Sequence, residues 1–360
     1  MRTPSPATVR AWLAVILLTL LASRVFDFFA LPSPQLFGAL LAGIVWAISG
    51  RSPGIQLPRW GSIAGQALIG VSMGALLNLA TLRELGGNAG PIALVTVATL
   101  LLSLLSGQLF ARLGHVGAAT GTFSMIAGGA SGITAIAREL GADDRVTSVV
   151  QYLRVVMILV GMPLVTAAVF QPQAAATPVG GVARTSLPVD LAYTVVSGAV
   201  GVVLARLVRF PSGGLLGPLF VAATVSLTGV VGHPGVPATL LAVGYALVGL
   251  QVGLRFTRAS LRQVGRLLPL AVVLILAVVA GCAGLGMVLA RMTGMPQLDA
   301  YLATTPGGLY AVLATAAESG ADVTFVLAVQ VIRLILVLAC APLIASWFRG
   351  HPGTWDDEVD

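Results

Sequence analysis

Thr120–Arg154 reads TGTFSMIAGGASGITAIARELGADDRVTSVVQYLR: an apolar run broken at Gly128-Gly129, then a stretch that carries an arginine deep inside apolar sequence. The pattern occurs twice. Shifted by 179 residues without a gap, Gly128-Gly129 falls on Gly307-Gly308, Glu139 on Glu318, Gly141-Ala142-Asp143 on Gly320-Ala321-Asp322, Gln151 on Gln330, Arg154 on Arg333 and Pro163 on Pro342. Outside this segment Pro32-Ser33 falls on Pro211-Ser212, Gly38 on Gly217, Gly70 and Gly74 on Gly249 and Gly253, and Arg112 on Arg291. One register holding from Pro32 to Pro163 marks an internal duplication.

With 57% hydrophobic residues, 9% charged and a mean hydropathy of +0.97, the chain has too little polar surface to cover a soluble domain. A polytopic membrane protein is the class that fits. The net charge of +7 and pI near 10.4 would suggest nucleic acid in a soluble chain. Here the basic residues, all 20 of them arginine, have first to be set against the rule that cytoplasmic loops are positive. The two cysteines, Cys282 and Cys340, lie far apart in apolar runs and read as small core residues. Arg2 and Arg10 precede an apolar run that resembles a secretory signal. Its equivalent, 191–205, sits in mid-chain, so the first run is expected to span the membrane.

A hydrocarbon core of ~30 Å needs about 20 mostly apolar residues per helix. On that ruler, spans fall near 9–30, 34–50, 60–80, 91–112 and 146–170, and near 188–209, 213–229, 239–259, 269–290 and 323–348. The expected organisation is repeat 1 over 9–170, a linker over 171–187, repeat 2 over 188–348 and an acidic tail over 349–360. The linker is rich in Pro, Gly and Gln and has nothing to bury.

The runs 117–141 and 296–320 contain the Gly-Gly pairs; they either cross as broken helices or enter and return. The arginines discriminate. If both runs return, each half has five spans and the second half enters the bilayer upside down. One face then holds 14 arginines and the other only Arg83, Arg184 and Arg291, with Arg24, Arg154 and Arg333 inside spans. If both runs cross and all ten other spans stand, the split is 8 against 9. The bias favours two inverted repeats of about five spanning helices, each with a Gly-Gly-broken re-entrant or discontinuous helix, and both termini cytoplasmic. It would survive if the runs cross and one other span per half does not.

Inverted repeats built on broken helices place substrate sites near the bilayer midplane, where the interruptions meet. Irregular backbone at that depth must line a cavity or be buried in protein. On this reading Ser124, Gly128, Gly129, Ser131, Thr304, Thr305, Gly307, Gly308 and Tyr310 supply hydroxyls and accessible backbone, and helix N-termini after the breaks suit an anion. Arg154 and Arg333 lie about nine and ten residues into their spans, roughly 13–15 Å deep. Either each neutralises its own half, by pairing with Glu139, Glu318 or helix-end carbonyls, or both meet an anionic solute. Gln151 and Gln330 lie one turn earlier on the same helical face. Asp143 and Asp322 read as helix N-caps, whereas Glu139 and Glu318 could carry a coupling ion. No metal site is expected, because His115, His233 and His351 are scattered and no cluster has ligand spacing.

The pattern GG…E-x-G-A-D…Q-x-x-R…P over Ala127–Pro163, with its copy, resembles the bacterial AbrB membrane-protein family, whose half-length unit is itself a duplication. The resemblance covers roughly 9–348. It implies an inner-membrane protein, and it brings two inherited labels, ammonia monooxygenase and regulator of gene expression, without established catalytic residues. Leu31–Leu82 is also loosely similar to the opening helices of cation–proton antiporters and their anion-carrying relatives. A monooxygenase needs metal ligands or a cofactor motif, and a DNA-binding regulator needs a soluble module. The residues offer neither.

The expectation is therefore a multi-pass inner-membrane protein, not an enzyme and without a cofactor, acting as a secondary transporter for a small anionic solute. The alternative is a membrane-bound sensor or regulator acting indirectly on gene expression. Its partners are the lipid bilayer and the solute, with no direct nucleic acid; a homodimer is the assembly to test.

Overall fold

The computed structural model describes residues 6–28, 33–49, 55–77, 83, 85–126, 142–170, 186–208, 213–232, 234–256 and 258–350. Among them the chain is all-helical. The helices are α1 (Pro6–Phe28), α2 (Pro34–Ser49), α3 (Arg59–Ala75), α4 (Ala89–Gly114), α5 (Ala118–Met125) and α6 (Asp144–Val165), the last continued by a π-helical turn over Thr166–Phe170. After the linker come α7 (Leu187–Leu207), α8 (Gly213–Thr228), α9 (Ala238–Gly253), α10 (Arg258–Val264), α11 (Leu268–Thr293), α12 (Gln297–Thr304), α13 (Leu309–Glu318) and α14 (Val323–Gly350).

The register read in the sequence recurs in the helices. The bounds of α2, α4 and α5 reappear, displaced by the same 179 residues, as those of α8, α11 and α12. Their caps repeat as well: α4 ends at His115 (φ 49) and α11 at Gly294 (φ 73), both left-handed, with cap N–H groups donating to Ala111 and Ala290. Among the described residues five helices are long and apolar enough to cross a membrane, namely α1, α4, α6 with its π turn, α7 and α11. Their outer faces carry exposed Leu13, Leu17, Leu105, Val195 and Val273, the residues lipid would solvate. At 16 residues each, α2, α8 and α9 reach only ~24 Å, short of the ~30 Å core.

Two expected spans end early: the run taken to reach 80 stops as α3 at Ala75, where the Leu76 and Leu77 N–H groups turn back to Met73 and Gly74. The run taken to reach 259 stops as α9 at Gly253, where the Arg255 and Phe256 N–H groups turn back to Val252 and Gly253, and a separate short helix α10 follows. The cause is local chemistry: Arg255 and Arg258 are exposed and would be costly in lipid. The linker over 171–185 and the tail over 351–360 lie outside the described residues.

The chain forms two compact units, residues 1–79 with 162–258 and 313–323, and residues 80–161 with 259–312 and 324–360. Each draws on both repeats. In the first, α3 packs on α8 and α9 packs on α2, each helix on an element of the other repeat. Glycines permit the approach: a Cβ at Gly70 or Gly74 would lie 2.3 or 2.4 Å from the Leu215 or Leu219 carbonyl oxygen. One at Gly249 or Gly253 would lie 2.3 or 2.4 Å from that of Leu36 or Leu40. The four contacts are two equivalent pairs. Trp46, Val15, Leu250 and Leu254 fill one part of this unit's core.

In the second unit α5 lies against α4, and α12 against α11. Again equivalent glycines seat them, Gly107 beside the Thr122 backbone and Gly286 beside that of Tyr301. Phe110, Met125, Val149, Val150, Leu274 and Ile275 form one core cluster, and Ile92, Leu289, Phe325 and Val329 another. These two clusters hold α6 and α14 beside the short helices they serve.

Candidate functional site

Helices of eight residues are too short to cross a bilayer, so α5 and α12 end inside the protein. The sequence fixes where. After α5 the backbone turns extended at Ile126 (φ −69, ψ 126), and after α12 at Thr305 (φ −58, ψ 125), where Pro306 has no N–H to continue the helix. An ending helix leaves its last carbonyls without intrahelical donors, and lipid cannot supply any.

The buried polar side chains of α6 and α14 supply them, in the same pattern in both copies. Gln151 Nε2 donates to Phe123 O (2.7 Å) and Ile126 O (3.5 Å), and Arg154 Nη1 to Met125 O (2.9 Å). Gln330 Nε2 donates to Leu302 O and Thr305 O (3.0 Å each), and Arg333 Nη1 to Thr305 O (2.9 Å) and Thr304 O (3.3 Å). Each arginine's Nη2 donates to the glutamine one turn earlier, Arg154 to Gln151 Oε1 at 3.4 Å and Arg333 to Gln330 Oε1. Each guanidinium thus sits as a cation at the negative end of a half-helix, where the helix dipole favours it.

The caps do not exhaust the arginines. Arg154 and Arg333 are 5% and 7% exposed, and the Nε of each has no hydrogen-bond partner. Neither is paired with a carboxylate among the described residues. The two caps lie in one part of the second unit: Ile158, one turn on from Arg154, has its side chain 2.7 Å from where a Cβ of Gly307 would lie, two residues beyond the Thr305 carbonyl that Arg333 caps. Two like charges in one buried polar region with an unspent N–H apiece can receive an anion.

Of the other residues read from the sequence, Ser124, Thr304 and Thr305 have their hydroxyl protons spent on helix carbonyls: Ser124 on Thr120 O (2.6 Å), Thr304 on Cys282 O (2.9 Å) and Thr305 on Tyr301 O (2.7 Å). They remain acceptors only. Gly307 sits where a Cβ would meet the Ile158 side chain at 2.7 Å, so it serves packing. Gly308 starts α13 by accepting from the Ala311 and Val312 N–H groups, and Tyr310 lies in that helix's first turn. Gly128, Gly129, Ser131 and Glu139 lie outside the described residues.

Glu318 ends α13 and belongs to the first unit, whereas Arg154 and Arg333 belong to the second. It accepts a hydrogen bond from the Ser33 hydroxyl. Ser33, which precedes α2, holds a left-handed φ of 47°. Sequence reading missed it as a partner, although Ser followed by Pro at a helix start was a usable signal. Cys282, read as a core residue, is buried. The expected exits are present: Gly320 (φ 72) follows α13, and Asp143 Oδ1 caps α6 through the Arg145 and Val146 N–H groups at 2.9 and 3.1 Å.

The family described as transition state regulatory protein AbrB matches residues 35–349, which includes both arginine caps. The chain belongs to the AbrB family. One AbrB relative, from Escherichia coli (strain K12) and named there as an AbrB regulator on a provisional basis, is 33% identical over 343 residues, 95% of this chain and 98% of its own. A second, YhjN of Bacillus subtilis (strain 168), is 28% identical over 297 residues, 79% of this chain and 77% of its own. The matched residues include, in each copy, a half-helix and the Gln-x-x-Arg turn that closes it.

Proposed function

We propose that this AbrB-family protein is a secondary transporter of a small anionic solute in the bacterial inner membrane, with both termini cytoplasmic. The observation that carries the reading is the pair Arg154 and Arg333: buried, without a carboxylate partner among the described residues, and each with its Nε unspent. An arginine at the bilayer centre costs about 2.5–3.5 kcal/mol on insertion scales. A half-helix C-terminus offsets part of that, and a bound anion would offset the rest. Transport would proceed by moving one part of the fold against the rest around a midplane site, with Glu318 or Glu139 taking a coupling ion. No catalytic step is involved.

The inverted arrangement of the repeats is part of the proposal. The 14-to-3 distribution of arginines supports it. The reciprocal packing of α3 on α8 and α9 on α2 fits two copies related by a two-fold axis, and the arginine distribution is what favours an axis in the membrane plane.

Flux of labelled anions into proteoliposomes holding only this protein is the test. Uptake that Arg154→Gln or Arg333→Gln abolishes is the expected result; binding without uptake would favour a sensor. That second reading rests on the name of the Escherichia coli relative, which speaks of regulation. Here it would be indirect, through a metabolite or a bound regulator.

A further inference from the structure

A half-open groove of about 420 Å³ runs between α1, α2 and α9, all of the first unit. Its lining is of two kinds. Ser23, Arg24 and Asp27 of α1, with Gln35 in the first turn of α2, make it polar at one end. One turn deeper along α1 comes Leu20, joined by Val243 and Ala246 of α9. Leu20 and Val243 are 59% and 50% exposed, so the apolar part opens onto the face that lipid would cover.

Depth accounts for the order. Arg24 stands four residues and Asp27 one residue before the end of α1, within ~6 Å of it along the axis, which is headgroup level for a helix that spans the hydrocarbon. Both side chains are exposed, and three residues apart they share a helical face. Among the described residues neither takes part in a hydrogen bond or an ion pair. Ser23 Oγ, buried in the wall, has no hydrogen-bond partner either.

The duplicated scaffold does not require this polar end. In the 179-residue register α1 and α7 end together, yet Ser23, Arg24 and Gln35 fall on Val202, Val203 and Gly214, and Asp27 on Arg206. The apolar Ala246 falls on Ala67. The helices recur in the second copy; the opposed charges do not.

We propose that the groove holds one phospholipid with a zwitterionic, amine-bearing headgroup, of the phosphatidylethanolamine kind. Arg24 takes the phosphate, which its planar fork matches, and Asp27 takes the ammonium. An acyl chain lies over Leu20, Val243 and Ala246, and Ser23 and Gln35 offer O–H and N–H groups to the ester oxygens between. An anionic headgroup such as phosphatidylglycerol would satisfy Arg24 and leave Asp27 facing a like charge. A soluble zwitterion would match both charges and leave the apolar part bare. Such a site requires a bilayer around the chain and nothing of the transport reading.

The test uses the full-length protein, purified, stripped of lipid in detergent and titrated with dihexanoyl phosphatidylethanolamine or dihexanoyl phosphatidylglycerol. Native mass spectrometry counts bound lipid while Tm is followed in parallel. The protein should retain one phosphatidylethanolamine and gain Tm at concentrations ~5-fold or more below those phosphatidylglycerol needs. An equal response or the reverse order overturns the proposal. Glycerophosphoethanolamine, the same headgroup without chains, should have no effect in that range; a full response to it would make a soluble zwitterion the ligand and overturn the lipid.

Two variants at exposed positions separate the charges. Asp27→Asn should cancel the preference by improving phosphatidylglycerol, and Arg24→Gln should weaken both lipids ~5-fold or more. Unchanged behaviour in either inserted variant overturns the proposal, and titration of the unaltered protein decides alone should both fail to insert. Val243→Cys should cross-link no more than the unaltered protein does; quantitative disulfide dimers would mean that a second copy, not a lipid, covers the groove.

Discussion

At the scale of single residues, the glutamines and the arginines divide two tasks that look alike in the fold. Gln151 and Gln330 each bridge two carbonyls of a half-helix and brace an arginine, and being neutral they leave no charge desolvation to offset the gain. Gln330→Ala should therefore lower stability by about 2 kcal/mol, since buried groups left unsatisfied cost about 1–3 kcal/mol each, and Gln151→Ala should match it. Arg333→Met removes a buried charge along with its cap, so its net cost should be smaller, yet it should abolish anion uptake. The check is Tm beside flux for both variants. If Arg333→Met is the more destabilising and uptake survives, the arginine is a cap and nothing more. The sequence made these four residues visible through their repetition and depth. It could not say what they bond to, because the acceptors are main-chain carbonyls, freed by helix endings and carried by every residue alike. Ser33 was hidden for a related reason: its left-handed φ and its link to Glu318 depend on where α13 ends.

At the scale of helices, the packing of the first unit depends on backbone-to-backbone approach at four glycines. A methyl group at Gly249 or Gly253 would run into carbonyl oxygens of α2, and one at Gly70 or Gly74 into those of α8; none of these can rotate away as a flexible side chain would. Gly253→Ala and Gly74→Ala should each destabilise by about 1–3 kcal/mol or more, as overpacked cores do. Gly284→Ala, in α11, meets nothing within 4 Å and should be neutral or stabilise by up to about 1 kcal/mol, the usual gain of Ala over Gly in a helix. Detergent melting curves rank the three, and a Gly284→Ala as harmful as Gly253→Ala would remove the packing account. The duplicated glycines were plain in the sequence, but their partners were not. A small residue every fourth position says that something comes close, without saying which helix does. The premature end of α9 was missed because hydropathy is averaged over a window wider than the turn at Arg255.

At the scale of the whole molecule, the sequence divides by repeat and the structure by contact, and the two divisions do not coincide. Each compact unit takes equivalent helices from both copies, α1–α3 with α7–α9 in one. A duplicated chain packs this way when each copy's surfaces are satisfied by the other's, which is also why neither half is expected to insert stably alone. The orientation of the copies then follows from parity. An odd number of crossings before the linker puts 171–187 on the periplasmic side and gathers 14 arginines on the cytoplasmic face; an even number scatters them 8 against 9. A periplasm-active reporter fused within 171–187 should be active, and a cytoplasm-active one at the same point silent, while fusions after Gly350 should give the opposite pair. A cytoplasmic linker would make the copies parallel, and the two capped half-helices would then enter from the same side of the bilayer. That arrangement keeps every hydrogen bond described here but loses the opposed access on which a carrier depends, so the linker's location bears on function as directly as any flux measurement.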